Sequence, residues 1–125
     1  MPNPKILVVD DDALLRDLMV DILDDCTVVI ANDGLDGLQR YRDEGPFDVV
    51  VSDLEMPGGN GPDMIRAIRK HCPTQPILLI SGNPLLLEKA QTELGVRVMG
   101  KPFETIYQFN EAVRQLVSNG RLVRT

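Results

Sequence analysis

A chain of 125 residues, 43% of them hydrophobic, is enough for one domain with its own core and needs no disulfide or metal staple. A formal charge of -6 argues against direct binding to nucleic acid or to an anionic membrane surface, and no apolar run approaches the length of a membrane span. Two widely spaced cysteines, Cys26 and Cys72, give neither a disulfide framework nor a zinc site, and Met1 to Lys5 lack the apolar region of a signal peptide, so a cytoplasmic chain with free thiols is expected.

The first apolar run, Lys5 to Val9, ends in Asp10-Asp11-Asp12. Leu14, Leu15, Leu18, Met19, Ile22 and Leu23 then recur at helical spacing, with Asp12 placed to cap the helix. Thr27 to Ala31 reads as a second strand. Asn32 or Asp33 can cap the following helix, which carries Leu35, Leu38 and Tyr41 and is stopped by Gly45-Pro46.

The third strand, Asp48 to Asp53, contains Val49-Val50-Val51, a β-branched run suited to a strand covered on both faces. It ends in Asp53 and is followed by Leu54-Glu55-Met56-Pro57 and a turn-forming stretch, Gly58-Gly59-Asn60-Gly61. That stretch lacks the lysine and hydroxyl of a P-loop and does not fit the dinucleotide fingerprint. A helix is predicted from about Gly61, with Pro62 in its first turn, Met64, Ile65 and Ile68 inward, and Cys72-Pro73 closing it. His71, the single histidine, sits in the last turn, where the helix dipole accounts for it.

Ile77 to Ile80 forms a fourth strand ending in Ser81-Gly82-Asn83. Pro84 opens a helix with Leu86, Leu87, Ala90 and Leu94, and Gly95 terminates it. Val96 to Gly100 is a fifth, less apolar strand in which Arg97 suits a sheet edge. Lys101-Pro102-Phe103 follow, and Ile106, Phe109, Val113, Leu116 and Val117 mark the last helix before Gly120. Residues 120–125 read as a tail to a single domain whose core spans about residues 5–119.

Strict alternation of strand and helix predicts a doubly wound α/β domain, a parallel sheet with helices on both faces. In such sheets, sites form at the carboxyl ends of the strands. There the sequence places Asp10, Asp11, Asp53, Ser81 and Lys101. Carboxylates about 4 Å apart repel by roughly 4 kcal/mol per pair at an effective dielectric of 20, so they call for a cation or for raised pKa values. With only oxygen ligands the natural cation is Mg²⁺ or Mn²⁺, and Mg²⁺ is commonly completed by a phosphate. Lys101 and Ser81 could bind phosphoryl oxygens, and Asp53 is a competent nucleophile for an aspartyl phosphate.

These residues resemble the response regulator receiver domains of two-component signal transduction, the CheY-like superfamily. The matching pieces run in order along nearly the whole chain: Ile6-Leu7-Val8-Val9-Asp10-Asp11-Asp12 with Arg16, Asp53-Leu54-Glu55-Met56-Pro57 with Asn60-Gly61, Ser81-Gly82, and Lys101-Pro102-Phe103. The resemblance implies a flavodoxin-like (βα)5 fold of strand order 2-1-3-4-5. It implies Asp53 as acceptor of a phosphoryl group from a histidine kinase or phosphotransfer protein, and Asp10 and Asp11 as the acidic pair holding Mg²⁺. Asp11 and Asp53 would ligate directly, with the backbone carbonyl of Glu55. Ser81 and Lys101 would bind the phosphoryl group, and the Lys101-Pro102 bond would be cis.

The domain would be a switch of partner binding, catalysing only its own phosphorylation and dephosphorylation. The resemblance also admits a phosphorylation-dependent dimer. One position departs from the pattern: Val98 stands three before the lysine, where the family commonly has a Tyr or Phe that turns inward with the hydroxyl. A phosphatase working through an aspartyl phosphate is an alternative, since Glu55 has the spacing of a second carboxylate. It normally has Asp there and needs a cap for which this chain has little room. A flavodoxin-like cofactor binder is opposed by the acids where the FMN phosphate would lie.

Overall fold

Every residue of the strands Val49–Asp53 and Ile77–Ser81 is buried, as expected of β-branched and apolar runs covered on both faces. The structure, a computed structural model, describes residues 3–56 and 61–124. The expectation of a turn over Gly58, Gly59 and Asn60, with Pro57 before it, lies outside the described residues. In chain order the elements are β1 (Lys5–Val9), α1 (Ala13–Ile22), β2 (Thr27–Ala31), α2 (Gly34–Glu44), β3 (Val49–Asp53), α3 (Gly61–His71), β4 (Ile77–Ser81), α4 (Pro84–Leu94), β5 (Arg97–Gly100) and α5 (Ile106–Arg124).

The strands pair in parallel in the order β2-β1-β3-β4-β5. Two cores flank the sheet, because alternate strand residues point to opposite faces. Leu7, Val9, Val50 and Leu79 meet Tyr41 of α2, Met64, Ile65 and Ile68 of α3 and Ala90 of α4. Ile6, Val8, Val49, Val51, Leu78 and Ile80 meet Met19 of α1 and Phe109, Ala112, Val113 and Val117 of α5. Burying each large side chain among them stabilises the fold by roughly 1.5–3 kcal/mol. β5 is an edge strand, and Arg97 lies exposed on it as expected.

Capping follows local chemistry. The Asp12 carboxylate accepts from Leu14 N–H and Leu15 N–H, Asp33 rather than Asn32 caps α2, and Asn83 caps α4 ahead of Pro84. Gly95 ends α4 in the left-handed region at φ 62°, a conformation that a side chain would oppose.

Three readings of the sequence are corrected. Leu14, Leu18, Leu35 and Ile106, counted in the apolar patterns of their helices, are exposed. For Leu14 the geometry is plain: Met19 fixes the buried face of α1, and a residue five positions earlier lies about 140° around the helix from it. The third and fifth strands each start one residue later than expected, β3 at Val49 and β5 at Arg97. The expected tail from Gly120 is instead the last turn of α5, which runs to Arg124. Gly120 is buried, and Arg121 Nε donates to Asp48 Oδ1 at 3.2 Å. Asp48 also accepts the Lys5 backbone N–H at 2.9 Å. This long-range tie offsets the roughly 1 kcal/mol that a glycine costs inside a helix.

Candidate functional site

Sheet register brings the strand-end residues together. Val9 of β1 lies opposite Ser52 of β3, so Asp10 follows abreast of Asp53. Asp53 lies opposite Ile80 of β4, and Ser81 lies opposite Gly100 of β5, so Lys101 comes next on the same rim. β1 and β3 are the strands between which the chain changes direction across the sheet, the place where open α/β sheets form their crevice. Gly61 lets α3 start close beneath it: a Cβ there would stand 2.7 Å from the Asp53 carbonyl oxygen.

Carboxylate oxygens of Asp10, Asp11 and Asp53 lie within 4.8 Å of one another, a group that could hold a metal ion. Asp53 is buried, with 4% exposed; its Oδ2 accepts from Lys101 Nζ at 3.0 Å, and its Oδ1 accepts from Glu55 N–H at 3.4 Å. Asp10 is fully buried, and its Oδ1 accepts from Asp12 N–H at 2.8 Å while Oδ2 has no partner. Asp11 is exposed. The loop behind them is braced by Arg16, which donates to the Asp10 carbonyl at 3.0 Å and to Asn32 Oδ1 at 2.6 Å.

Ser81 sits one strand over, buried. Its Oγ donates to Glu55 Oε1 at 3.3 Å and accepts from Asn83 N–H at 3.0 Å. The Lys101-Pro102 bond is cis, as is Gly45-Pro46. Phe103 stacks on Phe109 of α5 with 4.9 Å between ring centroids, tying the turn after Lys101 to the core. Val98 is half-buried and packs against the α4 side of the sheet with Leu86 and Leu94. His71 packs edge-on against Tyr41, a structural contact, and Cys26 and Cys72 are free thiols. Among the described residues no helix is long and apolar enough to cross a membrane.

Burial is the largest influence on Asp10 and pushes its pKa from 3.8 up to about 6; the Asp12 N–H works against this, the Asp53 charge adds to it, and Lys101 opposes it. For Lys101, burial disfavours the ammonium, but the hydrogen bond and charge of Asp53, helped by Asp10 and Asp12, outweigh it and raise the pKa. A carboxyl whose pKa rises on folding binds its proton more tightly in the folded state. Its destabilisation is therefore absent below about pH 3.8 and complete above about pH 6. At 1.36 kcal/mol per unit this amounts to roughly 2–3 kcal/mol. Urea unfolding of the metal-free protein is expected to show Asp10→Asn more stable than the native chain by that amount at neutral pH, with the difference shrinking as pH falls through the window. Equal stabilities at neutral pH would refute this account of Asp10.

Asp10, Asp11, Asp53, Ser81 and Lys101, expected at the strand ends, lie together on one rim. No local pattern in the sequence signals the Ser81–Glu55 bond, the Ser81–Asn83 bond or the Arg16–Asn32 brace. Chemically, the arrangement holds a buried carboxylate against an ammonium, beside two further acids and a hydroxyl able to donate.

The profile of the response regulator receiver domain family matches residues 6–107. The chain is 35% identical over 109 residues to the chemotaxis protein CheY-3 of Vibrio cholerae, covering 81% of this chain and 82% of that protein. It is 34% identical over 116 residues to the alkaline phosphatase synthesis transcriptional regulatory protein SphR of Synechococcus elongatus. That match covers 83% of this chain but only 45% of the relative, so the chain spans less than half of that longer protein. In three dimensions it is similar to the signal receiver domain of an HD domain-containing protein from Pseudomonas fluorescens, with a TM-score of 0.89, 26% identity, and coverage of 99% of this chain and 93% of that one.

Proposed function

The chain belongs to the response regulator receiver domain family, the phosphoacceptor switches of two-component signalling, and from that premise we propose that Asp53 is the residue phosphorylated. The observation that carries the reading is the contact between Lys101 Nζ and Asp53 Oδ2, 3.0 Å long, inside a cluster of three carboxylates. An Asp53 oxygen attacks the phosphorus of a phosphohistidine. The O–P bond forms as the P–N bond breaks, and the departing imidazole keeps the electron pair and is protonated from solvent. Lys101 is placed to follow the charge from the carboxylate to a phosphoryl oxygen, and Ser81 has the hydroxyl that donates to another.

The unpartnered Asp10 Oδ2 and a donor set made only of oxygens fit a hard dication. Asp11, Asp53 and the Glu55 backbone carbonyl would hold Mg²⁺, or Mn²⁺, with Asp10 beside them. Bound there, the ion neutralises charge on the phosphoryl oxygens. Residues 1–125 act on this reading as one domain that catalyses only its own phosphorylation and dephosphorylation. The phosphodonor is a histidine kinase or histidine phosphotransfer protein, which places the chain in the cytoplasm. An output domain or protein, or a second phosphorylated copy, reads the result. Leu14, 83% exposed, and Leu18, 42% exposed, put an apolar strip on α1 beside the acidic rim, where a phosphodonor can dock.

Intact mass after incubation with acetyl phosphate tests the proposal. One phosphoryl adduct is expected with Mg²⁺ and none with chelator. A chain that stays unmodified at saturating donor and Mg²⁺ is not a phosphoacceptor.

A further inference from the structure

Resting on the assignment of Asp53, we propose that Glu55 is a positioning residue: its carboxylate holds the Ser81 hydroxyl in the unphosphorylated state and must release it before that hydroxyl can serve a phosphoryl group.

A serine hydroxyl has one proton to donate. In Ser81, which is buried, that proton goes to Glu55 Oε1 at 3.3 Å, while Oγ accepts from Asn83 N–H at 3.0 Å. Both roles of the hydroxyl are thus committed, and a phosphoryl oxygen on Asp53 competes with Glu55 for the same proton. Glu55 is bound to the phosphoacceptor's own turn, since its N–H donates to Asp53 Oδ1. The latch has somewhere to go: Glu55 lines an open groove of about 620 Å³ between α3 and α4, along with Met56, Leu86 and Ala90.

The release also provides a readout that needs no aromatic ring at position 98. When Oγ leaves, the Asn83 N–H loses its acceptor, and Asn83 is the residue whose side chain caps α4 through Leu85 N–H and Leu86 N–H. The change at Ser81 therefore reaches the first turn of α4 through the backbone.

Beryllofluoride, which mimics the phosphoryl group on an aspartate, tests this by 19F NMR titration in Mg²⁺. A contact worth one net hydrogen bond corresponds to an affinity gain of about fivefold in Glu55→Ala over the native chain. Because the effect passes through Ser81, the double variant Glu55→Ala/Ser81→Ala is expected to bind no tighter than Ser81→Ala. Equal affinity of Glu55→Ala and the native chain overturns the latch. A gain that persists in the Ser81→Ala background also overturns it, since Glu55 would then act by charge alone. Native protein that binds no beryllofluoride, or Asp53→Asn that binds it equally well, overturns the phosphoacceptor assignment and the latch with it.

Discussion

Asp53→Asn is expected to take up no phosphoryl group from acetyl phosphate under conditions that convert the native chain, while remaining folded. The substitution replaces a carboxylate nucleophile with a neutral amide of nearly the same shape. The amide oxygen of the variant side chain could still accept from Lys101 Nζ, which lies 3.0 Å from the native carboxylate, so the packing around this buried position has little reason to change. The lost ion pair is balanced against the lost repulsion from the Asp10 and Asp11 oxygens within 4.8 Å. Urea unfolding of metal-free Asp53→Asn is therefore expected within about 1 kcal/mol of the native chain, because opposing charge effects of similar size nearly cancel. Intact mass and peptide mapping read the outcome. An adduct of native abundance on Asp53→Asn would transfer the acceptor role to another residue, with Asp10 and Asp11 the first to be mapped.

The gathering of these residues on one rim is legible in the sequence because register converts local signals into proximity. An apolar strand ending in an acid or a hydroxyl says little alone. Parallel pairing forces Asp10 abreast of Asp53 and sets Ser81 and Lys101 one step further along, so strand ends far apart in sequence converge. The Ser81–Glu55 bond was not legible, since it joins residues 26 apart through a side chain whose direction depends on how the turn after β3 folds. The end of α5 shows the same limit from the other side. Gly120 is a stop signal when read locally, but Arg121 reaches Asp48, 73 residues away, and no periodicity within the helix carries that contact. Leu14 likewise fitted a helical stripe until Met19 fixed which face of α1 is buried.

Lys101→Ala is expected to slow phosphoryl transfer to Asp53 by on the order of a hundredfold, the effect of removing one preorganised group that meets developing charge. The same change is expected to destabilise the metal-free protein. Asp53, 4% exposed in the native chain, loses its 3.0 Å cation while Asp10 and Asp11 stay nearby. Breaking a fully buried pair costs about 3–5 kcal/mol, but the Lys101 side chain is 27% exposed and water screens part of the interaction. A loss of about 1–2 kcal/mol is the reasonable scale for this site, given that screening. Millimolar Mg²⁺ is expected to recover much of that loss, because it neutralises the same carboxylates, but not the rate, because the ammonium must stand on the phosphoryl side. Lys101→Arg separates the two roles further. It keeps the charge but replaces a compact ammonium with a planar fork, so stability returns and transfer stays slow. The rate of adduct formation and the urea midpoint, with and without Mg²⁺, measure the two effects independently. Native transfer rates in Lys101→Ala would leave the ammonium a structural counter-charge to Asp53 and remove it from the transfer step.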